Sequence, residues 1–201
     1  MVLEKNIIFA LIFISCCFFC SSNLTAVSNQ AVVPLNITVL GKLVITDANN
    51  DNKSGLNPNL NIFLKVMPDI NSSIVSGSSA IRIRTNLNTW KLTAQRSDAN
   101  NRQINIDPKD IVLNFSTQAG ASANPYSGKL LSPFDRPTDL GQISTNAPTD
   151  LLIGNRKTSL QRDPDNKNNW FQITSNYSIS PDFLYEPGEW NTTVSYSLVS
   201  P

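Results

Sequence analysis

Asp47, Asn49 and Asp51 stand at every second position of the stretch DANNDNKSG and offer side-chain oxygens in the spacing with which a calcium loop begins. Asn52 occupies the place of the tight-turn glycine and Pro58 that of the closing glutamate. The same letters therefore also spell a polar hairpin loop, for which Asn, Asp, Ser and Gly are the expected turn formers. Calcium, on Asp47, Asn49 and Asp51, is the one cofactor these residue types suggest.

Other chemistry is scarce. The chain has no histidine, which removes the commonest general base and a common metal ligand together. Its three cysteines, Cys16, Cys17 and Cys20, all lie in or beside one apolar run near the start. No Ser-His or Cys-His pair can form outside that run. Glu186 and Glu189 flank Pro187-Gly188, but a glycosidase needs its carboxylates facing each other across a cleft. Three residues apart on one turn, they read as solvated charges. Trp90, Trp170 and Trp190 could form a sugar platform, yet each begins or lies in an alternating run, where a large aromatic more often anchors a core. Sequons, among them those at Asn23, Asn36, Asn71, Asn114, Asn176 and Asn191, occur at about chance frequency for a chain this rich in Asn, Ser and Thr, and imply no glycosylation. No enzyme is expected.

The N-terminal run itself has a meaning. One lysine precedes apolar residues from Ile7 to Phe19, and small or polar residues follow, which is the layout of a secretory signal. The run is shorter than the about 20 residues a membrane span needs. The expected division is a signal peptide over 1–26, cut after Ala26, and one domain over 27–201. A minority route ends at Cys16, where FISC resembles a lipoprotein box and would anchor the chain by a lipid. Secretion or a place on the cell surface follows from either route.

Composition fits a globular domain. Hydrophobic residues make up 40% and charged residues 15% of 201, with a net charge of +1. A nucleic-acid protein needs a basic field and a disordered chain needs more charge and less apolar content, so both are excluded.

The elements that must position these residues are strands. Apolar residues alternate at Leu35, Ile37, Val39, Leu43 and Ile45; at Ile62, Leu64 and Val66; at Ile81 and Ile83, with Arg82 and Arg84 outward; at Trp90, Leu92 and Ala94; and at Ile111, Leu113 and Phe115. NWFQITSNYSI and EWNTTVSYSL complete the set. The stretch PTDLGQISTNAPTDLLIG is the best helix candidate, and Gly141 and Pro148 break it. The segment from about 116 to 150 reads as a long excursion from the sheets. Short strands with turn chemistry between them predict an all-β, antiparallel, Ig-like β-sandwich. In the last run Trp190, Val194, Tyr196 and Leu198 share one face and should enter the core, aimed by a type II turn at Pro187-Gly188.

Trp90 and Leu92 in NTWKL, with Tyr185, Pro187, Gly188, Val194, Tyr196 and Leu198 in YEPGEWNTTVSYSL, resemble bacterial surface β-sandwich modules. These include the WxL-type cell-surface domain, the spore coat protein U-like domain and the fimbrillin of common-pilus type. The resemblance implies a sandwich fold and a surface location, not a ligand. The expected function is that of a non-catalytic structural or adhesive protein, fimbria-like, whose partners are other surface proteins or further copies joined by strand addition. The alternating segment TAVSNQAVVPLNITVLG is the natural donor strand. The alternative is a module that binds cell-wall polysaccharide or another carbohydrate through its tryptophans.

Overall fold

Ile81, Ile83 and Thr85 are buried while Arg82 and Arg84 between them reach toward solvent, because successive side chains of a strand point to opposite faces. The same period of two recurs throughout the computed structural model of the protein, which describes residues 37–49, 51, 62–98 and 105–201. The chain divides into two units between Val39 and Leu40, and the second, Leu40–Pro201, is the one described below. The expected signal segment, the three cysteines and most of the proposed donor strand lie outside the described residues.

Strand content is 43% and helix content 4%. Leu43–Asp47 (β1), Val75–Thr85 (β2), Trp90–Asp98 (β3), Ile111–Ala119 (β4), Gly128–Leu130 (β5), Thr138–Asp139 (β6), Thr149–Gly154 (β7), Phe171–Ile179 (β8) and Thr192–Val199 (β9) form two antiparallel sheets. One has the order β1-β2-β8-β4-β6, the other β5-β7-β3-β9. They pack face to face as a β-sandwich.

The core is where the inner faces meet. Ile83, Leu113, Phe171 and Ile173 come from the first sheet, and Trp90, Leu92, Leu151 and Leu152 from the second. Each such burial stabilises by about 1.5–3 kcal/mol. Trp90 meets the edge of Phe171 with centroids 6.3 Å apart and donates its indole N–H to the Arg156 carbonyl at 2.8 Å. Gly154, the cross-strand partner of Trp90, leaves the space for that indole: a Cβ there would come within 1.9 Å of the ring.

Several sequence expectations need correction. The segment 116–150 is not an excursion: β4 continues to Ala119, and β5, β6, a 3-10 turn at Leu140–Gln142 and β7 follow. Its large buried side chains, Phe134, Leu140 and Ile143, do not alternate, so periodicity could not reveal them. Phe134 packs on Phe115 at 5.8 Å between centroids. The helix candidate holds β6, that 3-10 turn and β7 instead. Ile37 and Val39 precede the first strand, which begins at Leu43. Ile62, Leu64 and Val66 alternate inward on extended chain but belong to no strand; Ile62 and Leu64 pack where Gly77 lacks a side chain.

The ending behaves largely as expected. Trp190, Val194, Tyr196 and Leu198 all pack against the core. Tyr196 Oη lies 3.0 Å from Ser175 Oγ and 3.1 Å from Tyr177 Oη, so hydroxyls bridge the two sheets. Burial pushes both phenols above their ordinary pKa. The approach differs, however. Gly188 sits at φ 156°, far from the about +80° of a type II turn. The chain turns earlier, where Tyr185 N–H donates to the Asp182 carbonyl, and Glu186 N–H is held by Asn105 Oδ1.

Candidate functional site on the outer face of the five-stranded sheet

Register sets four rows across β2, β8 and β4: Ser76–Ser178–Val112, Ser78–Asn176–Asn114, Ala80–Thr174–Ser116 and Arg82–Gln172–Gln118. These are the side chains opposite in parity to the buried ones, so they share the outer face. One end of the face is charged, the other uncharged.

At the charged end Asp51 closes over Arg82 and Arg84. Arg84 donates through Nη1 to Oδ1 at 2.7 Å and through Nη2 to Oδ2 at 2.6 Å, a bidentate pair, and Arg82 Nη1 donates to Oδ2 at 2.8 Å. The buried Thr46 hydroxyl donates to Oδ1 as well. The remaining guanidinium edges are taken by Gln172 Oε1, from Arg82 Nε at 3.1 Å, and by Asn169 Oδ1, from Arg84 Nε at 3.1 Å. Burial alone would raise the Asp51 carboxyl, but the hydrogen bonds from Arg84, Thr46 and Arg82 outweigh it and hold the group far below the usual carboxylate range. Arg82 also lies over Trp170, its guanidinium carbon 4.0 Å from the ring centroid, in a cation–π contact. Chemically this end is largely committed: both guanidiniums share the one carboxylate, and their amide neighbours accept from both Nε groups.

The expected calcium ligands are spread among other tasks. Asp51 serves the arginines, and Asp47 Oδ1 accepts the Asn49 N–H at 2.8 Å in a local turn. Among the described residues no group of three or more acidic or cysteine side chains could hold a metal ion. The tryptophans also part company. Trp90 is buried and Trp190 packs on the core, whereas Trp170 stands on the outer face with its ring already covered by Arg82. The sequence reading placed Arg82 and Arg84 outward but missed their partner, since Asp51 lies about 30 residues away behind a loop.

At the uncharged end Ser76, Ser78, Asn114, Asn176, Ser178, Val112 and Pro137 line a shallow groove of about 420 Å³. A second hollow, of about 490 Å³, lies beside Arg96, Asp98 and Ser195 on the other sheet, and there Arg96 Nη1 is bound to both Asp98 oxygens at 2.9 and 2.8 Å. That charge pair also occupies its own hydrogen-bonding capacity. The groove residues Ser78, Asn114 and Asn176 make no side-chain hydrogen bond to another described residue. The signal for them was present as alternating small polar letters in SGSSA, NFS and TSNYS, but only register places the three runs side by side.

Comparison with protein-family models, with curated proteins and with solved structures returns no match for this chain.

Proposed function

We propose that this chain is a secreted or cell-surface, non-catalytic structural or adhesive protein, an Ig-like sandwich module that assembles by strand addition. The observation that carries the proposal is β9. It pairs with β3 from Lys91↔Val199 to Asp98↔Thr192, and among the described residues its other edge has no ladder partner. The three other outer strands are short: β1 has five residues, β5 three, one of them Lys129, and β6 two. Short strands and edge charges blunt an edge against pairing. β9 runs eight residues as TTVSYSLV, without charge or proline. An edge of this kind accepts an extended partner through main-chain hydrogen bonds, with alternate side chains giving register.

The composition supports the same reading, since a histidine-free chain with its cysteines gathered in an apolar leader offers few groups for catalysis. The fitting donor is the alternating stretch Ala31, Val33, Leu35, Ile37, Val39 of a second copy. A synthetic peptide of residues 31–40, added to the full chain, should slow hydrogen exchange of the β9 amides and raise the melting temperature. Sedimentation of the full chain should show concentration-dependent association that Ser195→Lys weakens without unfolding. A strictly monomeric protein whose β9 amides ignore the peptide would overturn the reading.

A further inference from the structure

We infer that the uncharged end of the outer face of the five-stranded sheet binds an uncharged stretch of a glycan, with Asn114 and Asn176 as its anchoring amides. The inference concerns a different surface from the β9 edge and goes beyond assembly to what the module adheres to.

The row Ser78–Asn176–Asn114 crosses three adjacent strands, about 10 Å from first to last at ordinary strand spacing. Each asparagine amide carries two donors and one acceptor, and each serine a hydroxyl that does both. These groups are left without intramolecular side-chain partners. A sugar presents the matching set, hydroxyls that donate and accept at short intervals around an uncharged ring. Beside the row, Val112 is 44% exposed and Pro137 adds an apolar ring to the same wall, which suits the C–H face of a pyranose. The groove, about 420 Å³ and open to solvent, suits a chain that lies along the sheet rather than a small molecule enclosed in a cleft.

Other occupants fit less well. A nucleic acid or other polyanion needs a field of cations, and no Lys or Arg lines the groove, while Arg82 and Arg84 at the other end of the face are paired with Asp51. A protein partner is normally anchored by buried aromatic or arginine side chains; no arginine lines the groove, and its one aromatic residue, Tyr177, turns its hydroxyl inward to Tyr196. A metal ion needs carboxylates. The nearest in register, Asp139 opposite Val112, does not line the groove, and its Oδ2 accepts from Gln142.

The test is affinity electrophoresis of the full chain through gels containing soluble β-glucan, galactomannan or, as an acidic control, polygalacturonate. Retardation by at least one neutral polysaccharide is expected, insensitive to added salt. Asn114→Ala with Asn176→Ala should weaken it about tenfold or more, as the loss of two hydrogen bonds implies. Ser78→Lys, which fills the groove and leaves both amides in place, should weaken it as well, while Trp170→Ala should not. Unchanged melting temperatures verify the fold of each variant, and a chitin oligosaccharide series extends the neutral panel. The inference is overturned if no neutral glycan retards the protein, or if all three groove substitutions leave retardation intact. It is also overturned if only polygalacturonate binds, or if the groove variants abolish self-association instead. Absence of any neutral-glycan retardation of the unsubstituted chain, with β9 pairing preserved, would sink this inference and leave the assembly reading standing.

Discussion

The two ends of one sheet face make opposite use of polar side chains. Around Asp51 most strong donors and acceptors are matched within the molecule: Arg84 binds both carboxylate oxygens, Arg82 binds one, and Gln172 and Asn169 accept from the two Nε groups. About 13 Å further along β2, at ordinary rise per residue, Ser78, Asn176 and Asn114 are left with their side-chain capacity open. The charged end ties the loop that carries Asp51 to β2, and its groups are therefore committed to stability. The uncharged end has no side-chain bonds in its Ser78–Asn176–Asn114 row to contribute to stability, and leaves those hydrogen-bonding groups open. Polarity alone thus does not mark a binding surface; what distinguishes the two ends is whether the polar groups have internal partners.

The comparison can be broken most directly at Asp51. Asp51→Ala would leave two guanidiniums, with side chains only 23% and 17% exposed, without their anion. Removing one partner of a fully buried pair costs about 3–5 kcal/mol, and the partial exposure here reduces that to about 2 kcal/mol. Urea denaturation of the variant should show this loss, and a midpoint equal to wild type would mean that the cluster is ornamental to folding. Arg84→Lys keeps the charge but loses the bidentate fork and the bond to Asn169. Its cost should be about 1 kcal/mol, read in the same titration.

Acid provides a gentler probe. The Asp51 carboxyl is depressed in the folded protein, so its contribution is fully present above the unfolded value of about 3.9 and is lost as pH falls toward the folded value. Wild type should therefore lose stability between about pH 4 and pH 2 more steeply than Asp51→Asn, which has no carboxylate to protonate. The effect is smaller than that of Asp51→Ala because protonation removes the charge and retains the side chain. Parallel slopes for the two proteins would show that another group governs acid unfolding.

The smallest effect belongs to the other end. Asn114→Ala with Asn176→Ala should change stability by no more than about 0.5 kcal/mol, since neither side chain has a partner to lose. A loss comparable to that of Asp51→Ala would erase the distinction between the two ends.

Periodicity made the sandwich legible. Alternation at Ile81 and Ile83, at Trp90, Leu92 and Ala94, at Ile111, Leu113 and Phe115, and at Val194, Tyr196 and Leu198 names strands and their inner faces from local order alone, because a strand's side-chain period is two. It also placed Arg82 and Arg84 outside. What it could not supply was partnership. Phe134, Leu140 and Ile143 enter the core from irregular chain, where no period announces burial. Asp51 reads as one oxygen of a calcium loop, and its ion pairs with Arg82 and Arg84 are visible only in the folded chain. Trp170 reads as core until β8 is seen to start at Phe171 and to leave the indole under a guanidinium. Asn114 and Asn176 lie 62 positions apart in the chain and become neighbours only because β4 and β8 pair. The sequence by itself determined the long alternating strands β2, β3, β4, β8 and β9 and which face their side chains take, since those depend on nearest neighbours. The tertiary structure alone decided which strands lie together, and with that which polar groups are satisfied and which remain open, because pairing depends on the long-range burial of one shared core.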